Sequence, residues 1–166
     1  MSLFPRPILQ LAELVLADAR EKKLKIVTAE SCTGGLVAGC LTEVAGSSAV
    51  VDRGFITYSN EAKRDMLGVP GDMIADHGAV SEPVARAMAE GALEESRAHV
   101  SVSITGIAGP GGGTPLKPVG LVHFAAARQR FGIIHEVYRF GDVGRYEVRI
   151  QAVQAALELL RRQIER

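Results

Sequence analysis

The stretch KIVTAESCTGGLVAGCLTEV, Lys25 to Val44, changes its periodicity halfway along. Lys25-Ile26-Val27-Thr28-Ala29 is short, largely apolar and β-branched, and reads as a buried strand. Ser31-Cys32-Thr33-Gly34-Gly35 breaks it and is expected to open a helix. Beyond the glycines, Leu36, Val37, Cys40, Leu41 and Val44 form an apolar face at helical spacing. A strand, a tight turn and a helix in that order are the unit from which α/β domains are built.

The same alternation continues on both sides. Upstream, Ile8, Leu11, Ala12, Val15 and Ala19 recur as one face of a helix after Pro7. Downstream, Gly46-Ser47-Ser48 makes a turn and a strand runs to Gly54-Phe55-Ile56-Thr57-Tyr58. Ser59 or Asn60 caps a short helix to Leu67, which Gly68 and Pro70 stop. Ser81 caps a further helix, with Glu82 and Pro83 in its first turn. Val100, Val102 and Ile104 alternate with Ser101, Ser103 and Thr105, a strand with one apolar and one small-polar face. After a Gly/Pro-rich loop, Gly106 to Pro118, comes a strand from Val119 to Ala127. The following connection is too short for a crossover, so Ile133 to Phe140 pairs antiparallel with it. A helix from Arg145 onward completes one α/β domain with a mixed, mostly parallel sheet between helical layers.

Composition narrows the function. Across 166 residues, Lys+Arg 19 balance Asp+Glu 19, which argues against a polyanion partner, and no nucleic acid is expected. Cys32 and Cys40 show no CxxC spacing, and on one helix they would lie about 12 Å apart along the axis, too far to bridge. No acid or histidine pair has metal-ligand spacing. Glu13 and Asp18 interrupt the apolar N-terminal stretch, which is neither a signal peptide nor a membrane span. A reducing cytoplasm is the simplest location. Assembly into a homo-oligomer is left open.

Three constellations carry chemistry. In the first, a strand delivers Ser31 to a helix start, where free N–H groups favour a developing anion, as acyl transfer requires. Ser31 is equally readable as a simple N-cap, and Cys32 is a rival nucleophile. In the second, Tyr58 ends a strand and Lys63 follows one helical turn later. Ser31, Tyr58 and Thr105 all lie at or just past strand C-termini, where ligands bind in open α/β sheets. A desolvated Lys63 would serve Ser31 as a base, whereas a solvated one is an ordinary surface residue. The third is Thr105–Thr114, whose amides could cradle a phosphate or a carbonyl oxygen. It is neither a P-loop, since no Gly-Lys-Ser/Thr closes it, nor a dinucleotide fingerprint. His77 beside Asp76 offers a conventional triad with Ser31 as an alternative. His99, His123 and His135 read as structural.

Four strings, TAESCTGG at Thr28–Gly35, GSSAVVDRGFITYSNEAK at Gly46–Lys63, HGAVSEPVARAMAEGA at His77–Ala92 and SITGIAGPGGGTPLKPVG at Ser103–Gly120, closely resemble the CinA C-terminal domain family. The likeness runs from about Leu11 to Leu160. It is to the stand-alone members, nicotinamide-nucleotide amidohydrolases, without the molybdopterin-like N-terminal domain of full-length CinA proteins.

The resemblance implies a three-layer α/β/α sandwich with a mixed, mostly parallel five-stranded sheet. It implies hydrolysis of the carboxamide of nicotinamide mononucleotide to nicotinate mononucleotide and ammonia, with no metal or organic cofactor. By motif match Ser31 is the nucleophile, Lys63 its general base, and Tyr58 positions or polarises the pair. Cys32, Thr33, Gly34 and Gly35 would supply oxyanion donors. Thr105 with Gly106, Gly109 and Gly111 would line the substrate site, and Ser48 and Arg145 would contact its phosphate. Family members often have Gly-Asp-Arg before the last helix. Here Val143 and Gly144 separate Asp142 from Arg145, so the local turn must differ. Two alternatives stand beside this reading: a non-catalytic competence or recombination module, and a hydrolase of another small amide.

Overall fold

The computed structural model describes residues 1–166. In chain order it contains α1 (Arg6–Glu21), β1 (Ile26–Glu30), α2 (Leu36–Thr42), a 3₁₀ turn (Ser47–Ala49), β2 (Val51–Ile56), α3 (Asn60–Leu67), α4 (Gly71–His77), α5 (Glu82–Glu94), β3 (Val100–Gly106), β4 (Leu121–Arg128), β5 (Gly132–Arg139) and α6 (Arg145–Glu165).

The five strands form one sheet in the order β2-β1-β3-β4-β5. β1 pairs parallel with β2 and β3, while β3–β4 and β4–β5 are antiparallel. Four strands therefore share one direction and β4 alone opposes them, an α/β sandwich with the mixed sheet expected. The expected β5 pairing follows from the short Gln129–Phe131 connection.

Strand alternation sorts side chains between two helical layers. Ile26 on β1, Val100, Val102 and Ile104 on β3, and Val122, Phe124 and Ala126 on β4 pack with α1, α2 and α6 in the larger core. Val27 and Ala29 face the other way, toward Leu67, Ile74, Val84, Met88 and Ala92 of α3, α4 and α5. On that second face α5 packs through Ala85 and Ala89 onto Ala125 and Ala127 of β4. The small-polar face of β3 lies there too. Ser101 donates to Ala89 O at 2.7 Å and Ser103 to Ala85 O at 2.6 Å, so buried hydroxyls are satisfied by helix carbonyls.

Three local expectations are corrected. α2 begins at Leu36, and Ser31–Gly35 is a turn ahead of it, so Ser31 is not an N-cap. A helix, α4, occupies a segment read as loop: Pro70 takes its N-cap position, where no N–H is needed, so the apparent breaker starts an element. Ser81 occupies the N-cap position of α5, but its hydroxyl donates to Gly78 O at 2.8 Å instead of capping. Ser59 does cap α3, accepting from Ala62 N at 3.0 Å.

Candidate active site

Alternation at the end of β1 separates two neighbours in sequence. Glu30 points into the α2 side and Ser31 into the α3 side. There Ser31 meets Lys63, projecting from the first turn of α3. Lys63 Nζ lies 3.0 Å from Ser31 Oγ, 3.0 Å from Thr57 O and 3.2 Å from Tyr58 O. The lysine is only 1% exposed. No salt bridge compensates its amine, and burial pushes its pKa below the ordinary lysine value, with the nearby Cys32 thiol opposing the shift.

Those contacts accommodate a neutral amine. A neutral amine has two N–H donors and one lone pair. The carbonyls of Thr57 and Tyr58 can take both hydrogens, leaving the lone pair for the Ser31 hydroxyl. Ser31 Oγ is otherwise only 3.4 Å from Tyr58 O. The geometry is that of a nucleophile with its base in hydrogen-bond reach.

Cys32 lines the same cleft, but its thiol is pushed up to about 12 by burial first and by the Glu30 carboxylate second. It stays a thiol, and the structure places the lysine on Ser31 instead. His77 does not line the cleft, so no Ser–His contact is assembled. The other histidines bond elsewhere: His99 accepts from Lys25 N at 2.8 Å, and His123 Nδ1 lies 2.9 Å from His135 Nε2.

The cleft holds about 280 Å³ and is bounded by Ser31, Tyr58, Lys63, Thr105, the loop Gly106–Gly112 and Arg145, with Asn60, Ala79 and Val80 on the remaining wall. Cys32, Gly106, Gly109 and Gly111 are also brought together here. Thr105 is buried and donates to Ala79 O at 2.9 Å, which ties the loop before α5 to the end of β3. Ala108, Gly109, Gly111, Gly112 and Gly113 donate their N–H groups to no other residue, and Gly109–Pro110 is cis. Gly106 must be glycine because a Cβ would fall 2.6 Å from Val122 Cγ2.

Tyr58 meets the pair through its backbone. Its carbonyl reaches Lys63, while its exposed ring points to the rim and its hydroxyl accepts from Arg145 Nη2 at 3.1 Å. Arg145 also donates to Gly109 O at 2.6 Å, so it pins the glycine loop to α6 at the mouth.

Thr33, Gly34, Gly35 and Ser48 do not line the cleft. Thr33 is buried and donates to Glu30 Oε1 at 2.6 Å. Gly34 and Gly35, at φ +56° and +103°, shape the turn. Ser48 sits in the 3₁₀ turn ahead of β2, at the opposite end of β1 and β2 from Ser31.

Two contributors escaped the sequence reading. Glu30 is buried and accepts from Val37 N at 2.9 Å and Ala38 N at 3.0 Å, so it fills the N-terminus of α2. In the turn itself, Cys32 and Thr33 N–H donate to no other residue. Arg149 of α6 donates to Cys32 O at 3.1 Å. Strand parity signals Glu30, but nothing local in sequence signals Arg149. No metal-binding group of His, Cys, Asp and Glu is present, and no helix is long and apolar enough to cross a membrane.

A model described as the CinA C-terminal domain matches residues 8–164. A CinA-like protein of Mycobacterium sp. (strain JLS) is 55% identical over 141 residues, 84% of this chain and 33% of its own length. One from Anaeromyxobacter dehalogenans (strain 2CP-C) is 53% identical over 153 residues, 92% of this chain and 37% of its own length. The chain thus spans about a third of the length of these curated relatives. Among solved structures, the competence/damage inducible protein CihA from Agrobacterium tumefaciens is 55% identical with a TM-score of 0.97, covering 98% of this chain and 99% of that one. A CinA superfamily protein from Escherichia coli is 33% identical with a TM-score of 0.85, covering 98% and 94%. Sequence and fold agree along nearly the whole chain, which belongs to the CinA C-terminal domain family.

Proposed function

We propose that this protein hydrolyses the carboxamide of nicotinamide mononucleotide, giving nicotinate mononucleotide and ammonia, with Ser31 as nucleophile and Lys63 as general base. The observation that carries this reading is the buried Lys63 amine, 3.0 Å from Ser31 Oγ and otherwise bonded to two carbonyls. Burying an amine without a counter-charge is costly, and that cost favours the neutral, basic form of the nitrogen. The nicotinamide nucleotide comes from the family resemblance. The open cleft of about 280 Å³ and its glycine-rich wall suit a small amide carried on a larger handle.

Lys63 takes the Ser31 proton as Oγ bonds to the carboxamide carbon. The carbonyl oxygen becomes an oxyanion beside the unengaged N–H group of Cys32, which lines the cleft. Lys63 returns the proton to the amide nitrogen, the C–N bond breaks, and ammonia leaves. Water then attacks the acyl-enzyme, giving its proton to Lys63, which returns it to Ser31 Oγ as the acid departs. The phosphoribosyl group supplies remote binding energy that orients the reacting amide. No nucleic acid or membrane takes part, and a cytoplasmic setting belongs to the same reading.

The names of the relatives favour a second reading, a competence-associated interaction module. In that case the Ser31–Lys63 contact would have no reaction to serve. Ammonia release distinguishes the two. Wild-type protein should act on nicotinamide mononucleotide far better than on free nicotinamide, and Ser31→Ala should be inactive. No release from either amide would leave only the module, whereas equal rates on both would point to a different small-amide substrate.

A further inference from the structure

We infer that Arg149 and Glu30 are positioning residues which hold the nucleophile turn Ser31–Gly35 from its two sides; the inference rests on the Ser31–Lys63 reading above. The turn has little structure of its own. Gly34 N donates to Ser31 O and Leu36 N to Thr33 O, each at 3.0 Å, and two positive-φ glycines follow the reacting serine. Such a segment drifts unless neighbours fix it.

Two opposite charges do so. From the α2 side, the Glu30 carboxylate gathers donors, accepting from Thr33 Oγ1 at 2.6 Å, Val37 N at 2.9 Å and Ala38 N at 3.0 Å. From α6, the Arg149 guanidinium gathers acceptors, with Nε 3.1 Å from Cys32 O and Nη2 3.5 Å from Thr33 O. One ion thus ties the Thr33 hydroxyl of the turn to the first amides of α2, and the other holds the turn's carbonyls. Neither ion lies within salt-bridge distance of the other, so each spends its charge on the turn and the start of α2.

The consequence is directional. A trans peptide points its N–H opposite to its C=O. Fixing Cys32 O on Arg149 therefore fixes the direction of Thr33 N–H, a group that donates to no other residue. The cation also polarises that peptide, which strengthens its N–H as a donor. Ser31 O accepts from Gly34 N, which in the same way sets the direction of Cys32 N–H. The amides that follow Ser31 keep their directions because Arg149, outside the cleft, holds the Cys32 carbonyl and the Gly34 N–H holds that of Ser31.

The test is the saturation kinetics of Ser31 modification by a small fluorophosphonate, followed by intact mass and needing no assumption about the natural substrate. Arg149→Met should lower the maximal modification rate by about 10²-fold, the effect of roughly 1 Å of misplacement. The half-saturating reagent concentration and the pH midpoint should stay unchanged. Arg149→Lys should recover part of the loss, because an ammonium can still reach one carbonyl. Glu30→Gln, which keeps Oε1 and replaces only the acceptor of Ala38 N, should lose about tenfold. An Arg149→Met protein labelled at the wild-type rate would overturn the inference. So would a loss accompanied by a raised pH midpoint, which would mean a loosened fold and a hydrated Lys63. Wild-type protein whose Ser31 takes no label would instead overturn the Ser31–Lys63 reading itself, and this inference with it.

Discussion

Gly91→Ala should disable the site from a distance, because Gly91 is where α5 touches the end of the helix that carries Lys63. A Cβ at position 91 would overlap the Leu67 carbonyl oxygen, and would stand 2.9 Å from the carbonyl carbon and 3.1 Å from Leu67 Cβ. Carbon atoms in good contact sit about 3.5–4.0 Å apart, so the end of α3 must retreat by roughly 0.5–1 Å. Leu67 lies one turn beyond Lys63 on the same buried face, and both side chains are at most 2% exposed. The Nζ–Oγ separation, now 3.0 Å, would pass the limit of a hydrogen bond. Overpacking of this kind costs about 1–3 kcal/mol, and a chain of this size loses about 2–4 °C of Tm for each kcal/mol. Misplacing the base by about 1 Å should cost roughly 10²-fold in kcat. Thermal melts and ammonia release on the same preparation measure both effects. A Gly91→Ala protein that melts early yet keeps its wild-type kcat would refute the coupling between this contact and the base. One with unchanged Tm would refute the contact.

Three further outcomes follow from the geometry. Cys32→Ala should keep activity within a few-fold, and native Cys32 should resist iodoacetamide at pH 8, because its thiol is held near 12 by burial. Tyr58→Phe should change kcat little while raising KM, since the backbone carbonyl serving Lys63 remains and only the hydroxyl holding Arg145 is removed. Stability should fall as pH drops from about 6.5 to about 4. Burial, then His135 and Lys117, hold His123 neutral to about 4 in the native state, whereas unfolded histidine charges near 6.5. In that window the unfolded chain binds the extra proton. His123→Phe should flatten this part of a Tm-against-pH curve, and an unchanged slope would rule out His123 as its source.

The strand–turn–helix order and the placement of Ser31, Tyr58 and Thr105 at strand ends were legible because hydrophobic period and turn residues are local signals. Burial of a charge is not a local property. Lys63 reads as a surface lysine one turn into a short polar helix, and only packing of α3 against α5 buries it. Glu30 escaped for the opposite reason: one residue from Ser31, it faces the other layer, where it takes the first amides of α2. Tyr58 was expected to position or polarise the pair without a stated group; its carbonyl contacts Lys63, and sequence does not distinguish a residue's backbone role from its side-chain role. Arg149 lies 117 residues from Cys32, and only the docking of α6 joins them. α4 was hidden because Pro70 and Gly71 look like an ending when they form a beginning.

The central claim is that a neutral buried lysine activates Ser31, and the pH dependence of kcat/KM for ammonia release from nicotinamide mononucleotide tests it most directly. Loss of the proton from Lys63 makes the base, so the rate should rise with pH and level off at a midpoint below the ordinary lysine value of about 10.4. Ser31→Ala and Lys63→Met should each lie at least 10³-fold below wild type across the whole range, as expected for partners that act as one unit. A wild-type midpoint near 10.4, or a Lys63→Met protein that keeps the wild-type profile, would contradict the account.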